Sequence, residues 1–222
     1  MTAAGRPLFV TFEGGEGSGK TTQIERARAF LAERGRTVVV TREPGGSPRA
    51  EALREALLAG AAKAQGPAFE AVLFAAARTD HVSTLIRPAL DRGDDVLCDR
   101  FHDSTRVYQG LAGVDAELLT LLEDAALDDL RPDLTFVLDL PAAEGLARAA
   151  NRRGTARADR FEGEAAEIHE ERRKRFLQIA TSDPRRCRIV DAGRPVDAVA
   201  QEIAAHLAEA LGEAAPTSGP AA

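Results

Sequence analysis

The chain has 222 residues, 44% hydrophobic and 29% charged, which suits one α/β domain with a sizeable core and is short for two. Its net charge of −6 argues against nucleic acid or an anionic membrane surface as partner. No run approaches the roughly 18 apolar residues of a membrane span, and residues 1–7 lack an apolar h-region, so neither an anchor nor a secretory signal is expected.

Cys98 and Cys187, far apart in apolar runs, are expected as buried thiols of a cytoplasmic protein. His81, His102, His169 and His206 show no metal-ligand spacing. Apolar or β-branched runs at 8–12, 37–41, 96–98, 134–140 and 188–190 read as strands. Helical patterns lie at about 20–34, 48–59, 67–91, 115–130, 142–153, 164–182 and 196–211. Continuous apolar strands that alternate with helices predict an α/β fold with a five-stranded parallel sheet covered on both faces. Residues 1–212 form one domain on this reading, and 213–222 (EAAPTSGPAA) form a disordered tail. Ligands of such sheets bind beyond the carboxyl ends of the strands.

After the first strand, Gly14-Gly15-Glu16-Gly17-Ser18-Gly19-Lys20-Thr21 fits G-x-x-x-x-G-K-[ST] at every fixed position. Strand, glycine loop and helix make the phosphate-binding context, with backbone N–H groups and the helix N-terminus facing phosphate. Lys20 is placed to reach the β- and γ-phosphates, and the Thr21 hydroxyl to ligate Mg²⁺. A bare glycine-rich turn is the bland alternative; the full motif in this context points to a nucleoside triphosphate.

The second strand leads into Arg42-Glu43-Pro44-Gly45-Gly46, which a tight turn alone explains as well as a functional segment does. The third ends at Asp99-Arg100-Phe101, followed by Ser104, Thr105, Tyr108 and Gln109. A surface ion pair would account for Asp99 and Arg100, but an acid at this strand end suits Mg²⁺ or its water. Phe74 and Arg78 share one helix face; Phe74 alone reads as core, whereas an unpaired Arg on an apolar stretch does not. A ring stacked on a base beside a guanidinium at its edge explains both. The Arg-dense stretch after the fourth strand reads as a solvated face or as a mobile cover over phosphates, a lid at about 153–163.

In order, GGEGSGKTT, TREPGG, FAAAR, DRFHDSTRVYQG, RPDLTFVLDL and an Arg-rich stretch ending DRFE closely resemble the thymidylate (dTMP) kinase family over about residues 8–205. The resemblance implies a P-loop kinase fold that moves the γ-phosphoryl of ATP to dTMP. It implies that Gly14, Gly15, Glu16, Gly17, Ser18, Gly19, Lys20, Thr21 and Thr22 bind ATP phosphates and Mg²⁺, with Arg148 on adenine. Glu16 matches the carboxylate near the 3′-hydroxyl of dTMP, and Arg54 and Arg100 the arginines on its phosphate. Phe74 matches the ring on thymine, Arg78 its O4 contact, and Ser104, Thr105 and Gln109 neighbouring substrate contacts. Tyr108 matches the ring beneath the deoxyribose.

Residue 17 is Gly, as in bacterial-type members whose lid supplies the charge, which points to Arg153, Arg157 and Arg160 beside Lys20, Asp99 and Arg100 in catalysis. Family members are homodimers, and Leu118, Leu119, Leu121 and Leu122 exceed one buried stripe, although a monomer core could take them. The runner-up reading is another nucleoside monophosphate kinase or a small-molecule P-loop kinase. A nucleotide-dependent switch is disfavoured because no N-K-x-D motif is present and Arg100, not Glu, follows Asp99.

Overall fold

The computed structural model describes residues 6–153, 161 and 163–213. Strands β1 (Phe9–Gly14), β2 (Val38–Arg42), β3 (Asp95–Asp99), β4 (Leu134–Asp139) and β5 (Cys187–Asp191) form one parallel sheet in the order β2-β3-β1-β4-β5. The central strand is β1, where Phe12 lies in register with Asp99 on one side and Phe136 on the other. The helices are α1 (Lys20–Ala32), α2 (Pro48–Leu58), α3 (Pro67–His81), α4 (Arg87–Asp91), α5 (His102–Leu111), α6 (Ala116–Leu127), α7 (Ala142–Arg153), α8 (Ala166–Ser182) and α9 (Val196–Ala210).

Side chains alternate across β1, and that alternation separates two cores. Val10 and Phe12 face α1 and α9, packing with Ile24, Leu31, Ile203 and Leu207. Phe9 faces the other side, with Val82, Ile86, Phe101 and Leu127. Farther along that side, Val107 of α5 packs with Val137, Phe176 and Ala180. Each such fully buried large side chain contributes about 1.5–3 kcal/mol.

The five strands and the expected helices are present, with shifted ends. The third strand, expected at 96–98, runs from Asp95 to Asp99 and so opens on a wholly buried acid. Asp95 accepts the Leu8 amide at 2.8 Å and pairs with the Arg36 guanidinium. The helical run 67–91 is continuous but passes through a π turn, Val82–Ile86, between α3 and α4. Pro88, just beyond, has no N–H to donate to the preceding turn, a known cause of such widening. Among the described residues, helix α5 is the one substantial element the periodicity did not predict, since its buried positions include His102, Asp103, Thr105 and Gln109. Of the proposed tail, only Glu213 is among the described residues.

Candidate active site

The glycine loop closes the carboxyl end of β1 against α7. Gly17 has φ +67, and a Cβ there would stand 2.0 Å from the Gly145 carbonyl oxygen. Reciprocally, a Cβ on Gly145 would stand 2.2 Å from the Glu16 oxygen. Only two glycines permit this approach, so the loop rests flush on α7. Gly145 escaped sequence reading; a glycine inside a helical pattern was its one signal. Helix α1 is preceded by Gly19 at its N-cap, with no side-chain cap, leaving its first-turn amides for an anion.

Lys20 curls back over the loop, and its Nζ donates to the Gly14 and Gly15 carbonyls at 3.2 and 2.9 Å. Burial, then the Arg100 charge, lowers its pKa. The Thr21 hydroxyl donates to Asp99 Oδ2 at 3.4 Å, so the loop and the end of β3 meet here.

Arg100 follows β3 in a left-handed conformation, φ +66, uncommon for a residue with a side chain. Its guanidinium donates to the Gly14 carbonyl at 3.0 Å and to Glu16 Oε1 at 2.6 Å. Burial alone would raise the Glu16 pKa, but Arg100 and Lys20 outweigh it and hold the carboxyl at about 2. Glu16 is therefore ionised at neutral pH. It also accepts the Tyr108 hydroxyl at 3.3 Å. The Tyr108 ring meets Phe161 edge-on at 5.4 Å, and the Arg172 guanidinium lies 4.2 Å from its centroid. Arg172 is buried and pairs with Glu164, and sequence reading missed it. The clue was its stripe: it stands four and eight residues before buried Phe176 and Ala180 on one helix.

The second wall comes from β2, α3 and α5. Glu43 accepts Arg78 Nε at 2.7 Å and contacts His81 Nδ1 at 3.1 Å. Arg78 also donates to Thr105 Oγ1 at 3.0 Å. Glu43-Pro44, a cis peptide, is thus more than a turn, because its carboxylate is the partner the buried Arg78 requires. Arg54 donates to the Pro44 carbonyl at 2.7 Å. Phe74 is only half-buried, its exposed part on the same wall.

These walls enclose a cleft of about 240 Å³. Its lining includes Gly17, Ser18, Gly19, Lys20, Thr21, Thr22 and Asp99 from the loop, α1 and the end of β3, and also Glu16, Arg54, Phe74, Arg78, Arg100, Ser104, Thr105, Tyr108 and Gln109. Arg152, on the last turn of α7, lines it as well, while Arg148 does not. Arg148 instead donates to the Ala192 carbonyl at 3.1 Å and to Glu144 at 2.5 Å. Arg157 and Arg160 lie outside the described residues, as does the Arg153 side chain.

A family model for thymidylate kinase matches residues 12–203, well over half of the chain. The chain belongs to the thymidylate kinase family. Two curated relatives, both named thymidylate kinase and from Rhodopseudomonas palustris strains TIE-1 and CGA009, are each 55% identical over 200 residues, covering 89% of this chain and 87% of theirs. A crystal structure of thymidylate kinase from Ehrlichia chaffeensis superposes with a TM-score of 0.70 at 34% identity, covering 90% of this chain and 98% of that one. The parallel sheet and its helices are therefore the P-loop kinase fold of this family.

Proposed function

We propose that this cleft is where ATP and dTMP meet end to end, with the residue roles that follow. The reaction is that of the thymidylate kinase family: the γ-phosphoryl of ATP passes to a phosphate oxygen of dTMP, giving ADP and dTDP. One P–O bond forms to the acceptor oxygen as the bond to the departing ADP breaks. The acceptor oxygen is already largely ionised at neutral pH, so no general base is needed. Catalysis then rests on alignment and on offsetting the repulsion of two polyanions.

The observation that carries this reading is the confluence of two sets in one cleft. Lys20, Thr21 and Asp99 line it together with Arg78, Arg100, Thr105 and Tyr108. On the donor side the loop amides from Gly14 to Thr22 and Lys20 take the ATP phosphates. Arg148, partly exposed on α7, is assigned to the adenine. On the acceptor side Arg54, Arg100 and Ser104 hold the dTMP phosphate region, Glu16 the 3′-hydroxyl region and Tyr108 the sugar. Phe74 stacks on thymine while Arg78, Thr105 and Gln109 meet its edge. Arg153, Arg157 and Arg160 are proposed to bring lid charge to the transferring group.

Thr21 and Asp99 present hard oxygen donors at one point of the cleft, a set that fits Mg²⁺ held with phosphate oxygens and water. When bound, Mg²⁺ neutralises charge between the phosphates. A homodimer through α3 and α6 is supported by large apolar side chains left open there. Leu121 is 66% exposed, with Phe69 at 44% and Val72 at 42%. Leu119, by contrast, is spent on the monomer core. Light scattering should return about twice the 23.6 kDa of one chain; the monomer mass would refute the dimer. A cytoplasmic location accords with the buried free thiols Cys98 and Cys187.

A coupled ADP-release assay tests the reading. ADP should appear only when dTMP, ATP and Mg²⁺ are all present, and chelation by EDTA should stop it. ATP binding with no dTMP-stimulated ADP release would overturn the assignment.

A further inference from the structure

We infer that Glu13 is a positioning residue for Arg100: its carboxylate fixes the backbone from which Arg100 reaches the acceptor phosphate. The inference rests on the acceptor role proposed for Arg100. Glu13 lies on β1 with its side chain on the same face as Phe9 and Thr11, toward α5. It is 0% exposed. Its Oε1 accepts the Phe101 amide at 2.8 Å and the Ser104 amide at 3.2 Å, and its Oε2 accepts the Ser104 hydroxyl at 2.7 Å.

Those amides belong to the start of α5, where no helix-cap side chain serves them. Arg100 stands immediately before, in its left-handed conformation. Its own amide donates to the Phe12 carbonyl at 2.9 Å, and the next amide along the chain is the one Glu13 takes. Strand β1 thus grips the residue on both sides, through the backbone of Phe12 and the side chain of Glu13. That grip sets where the guanidinium points, onto the Gly14 carbonyl, Glu16 and the cleft.

A carboxyl is an unfavourable choice for a strand interior. Burial and the nearby Asp103 charge push its pKa up to about 7. An apolar residue would pack against the sheet without that penalty, so the geometric value of the acceptor oxygens is what the position supplies.

The test compares Glu13→Met, Glu13→Gln and wild type by melting curve and by kinetics with dTMP and ATP varied separately. Glu13→Met fills the space but accepts no hydrogen bond. Its kcat/KM for dTMP should fall by about 10- to 100-fold, the scale of a misplacement of about 1 Å, while the KM for ATP stays near wild type. Glu13→Gln retains an acceptor for the Phe101 amide and a donor for the Ser104 hydroxyl, and should recover most of the loss. If Glu13→Met does not fold, Glu13→Asp gives the same reading, because it draws the carboxylate back by one methylene from both amides. A folded variant with unaltered dTMP kinetics, or one that loses dTMP and ATP affinity equally as its melting point drops, would overturn the inference. Wild type with no dTMP-dependent turnover would instead overturn the functional reading beneath it.

Discussion

The two ends of the cleft are built differently. The proposed acceptor end is wired in advance: Glu43 to Arg78 to Thr105, Glu13 to Ser104, and Arg100 to Glu16, mostly through buried groups. At the proposed donor end, Thr21, Thr22 and Arg152 are exposed and Arg148 is only partly covered. The contrast follows from what each ligand brings. A triphosphate with its metal carries charge and donor atoms that organise flexible cations around it. A monophosphate chosen by its base must find hydrogen-bonding groups already aimed, because an unmatched buried polar group is what rejects the wrong substrate.

The largest expected effect comes from Lys20, the one buried cation of the proposed donor end among the described residues. Lys20→Ala should lower kcat by about 100- to 1000-fold, with a melting curve like that of wild type. Near-normal turnover by folded protein would break the P-loop assignment. At the acceptor end, Arg78→Ala strands the Glu43 carboxylate, which is 4% exposed. It should cost about 3–5 kcal/mol of stability and raise the KM for dTMP far more than that for ATP. Denaturant unfolding beside steady-state kinetics reads both.

The Glu13 carboxyl gives the acceptor end a pH signature. Its pKa is raised from the usual 4.5 to about 7, by burial first and then Asp103, against Arg100 and the Ser104 hydrogen bond. The folded state therefore favours the protonated form. The stability from this group is complete below pH 4.5 and is lost as pH rises through about 7. The loss is on the order of 3 kcal/mol. Melting temperatures across that window should fall for wild type and flatten for Glu13→Gln; parallel curves would contradict it. The smallest effect belongs to the open donor side. Arg148→Ala breaks a partly exposed pair with Glu144 and should change stability by less than about 1 kcal/mol, while weakening ATP binding measured by titration calorimetry.

The same contrast explains what could be read from sequence. The glycine loop, Lys20 and Thr21 stand out in the sequence because a phosphate-binding motif demands particular residues at fixed local spacing, and the fold places them together beside Asp99. Strands were legible as apolar runs, since both faces of the sheet are covered. Helix α5 was not, because its buried face carries His102, Asp103, Thr105 and Gln109, which look polar in any periodicity. Glu13 and Asp95 give no local signal either, because the partners that satisfy them lie 59 or more residues away in the chain. Arg78 was noticed as an ill-fitting charge, but its partner Glu43 required the fold. Gly145 needed the meeting of α7 and the loop, which no local pattern encodes.

The central claim is that the wired acceptor wall selects thymine. Its most direct test is kcat/KM for dTMP, dUMP, dCMP, dGMP and AMP at saturating ATP, on wild type and Phe74→Ala. Wild type should prefer dTMP over every other monophosphate, and Phe74→Ala should lose most of that preference with its KM for ATP unchanged. Equal use of the five monophosphates by wild type, or a preference for another of them, would contradict it.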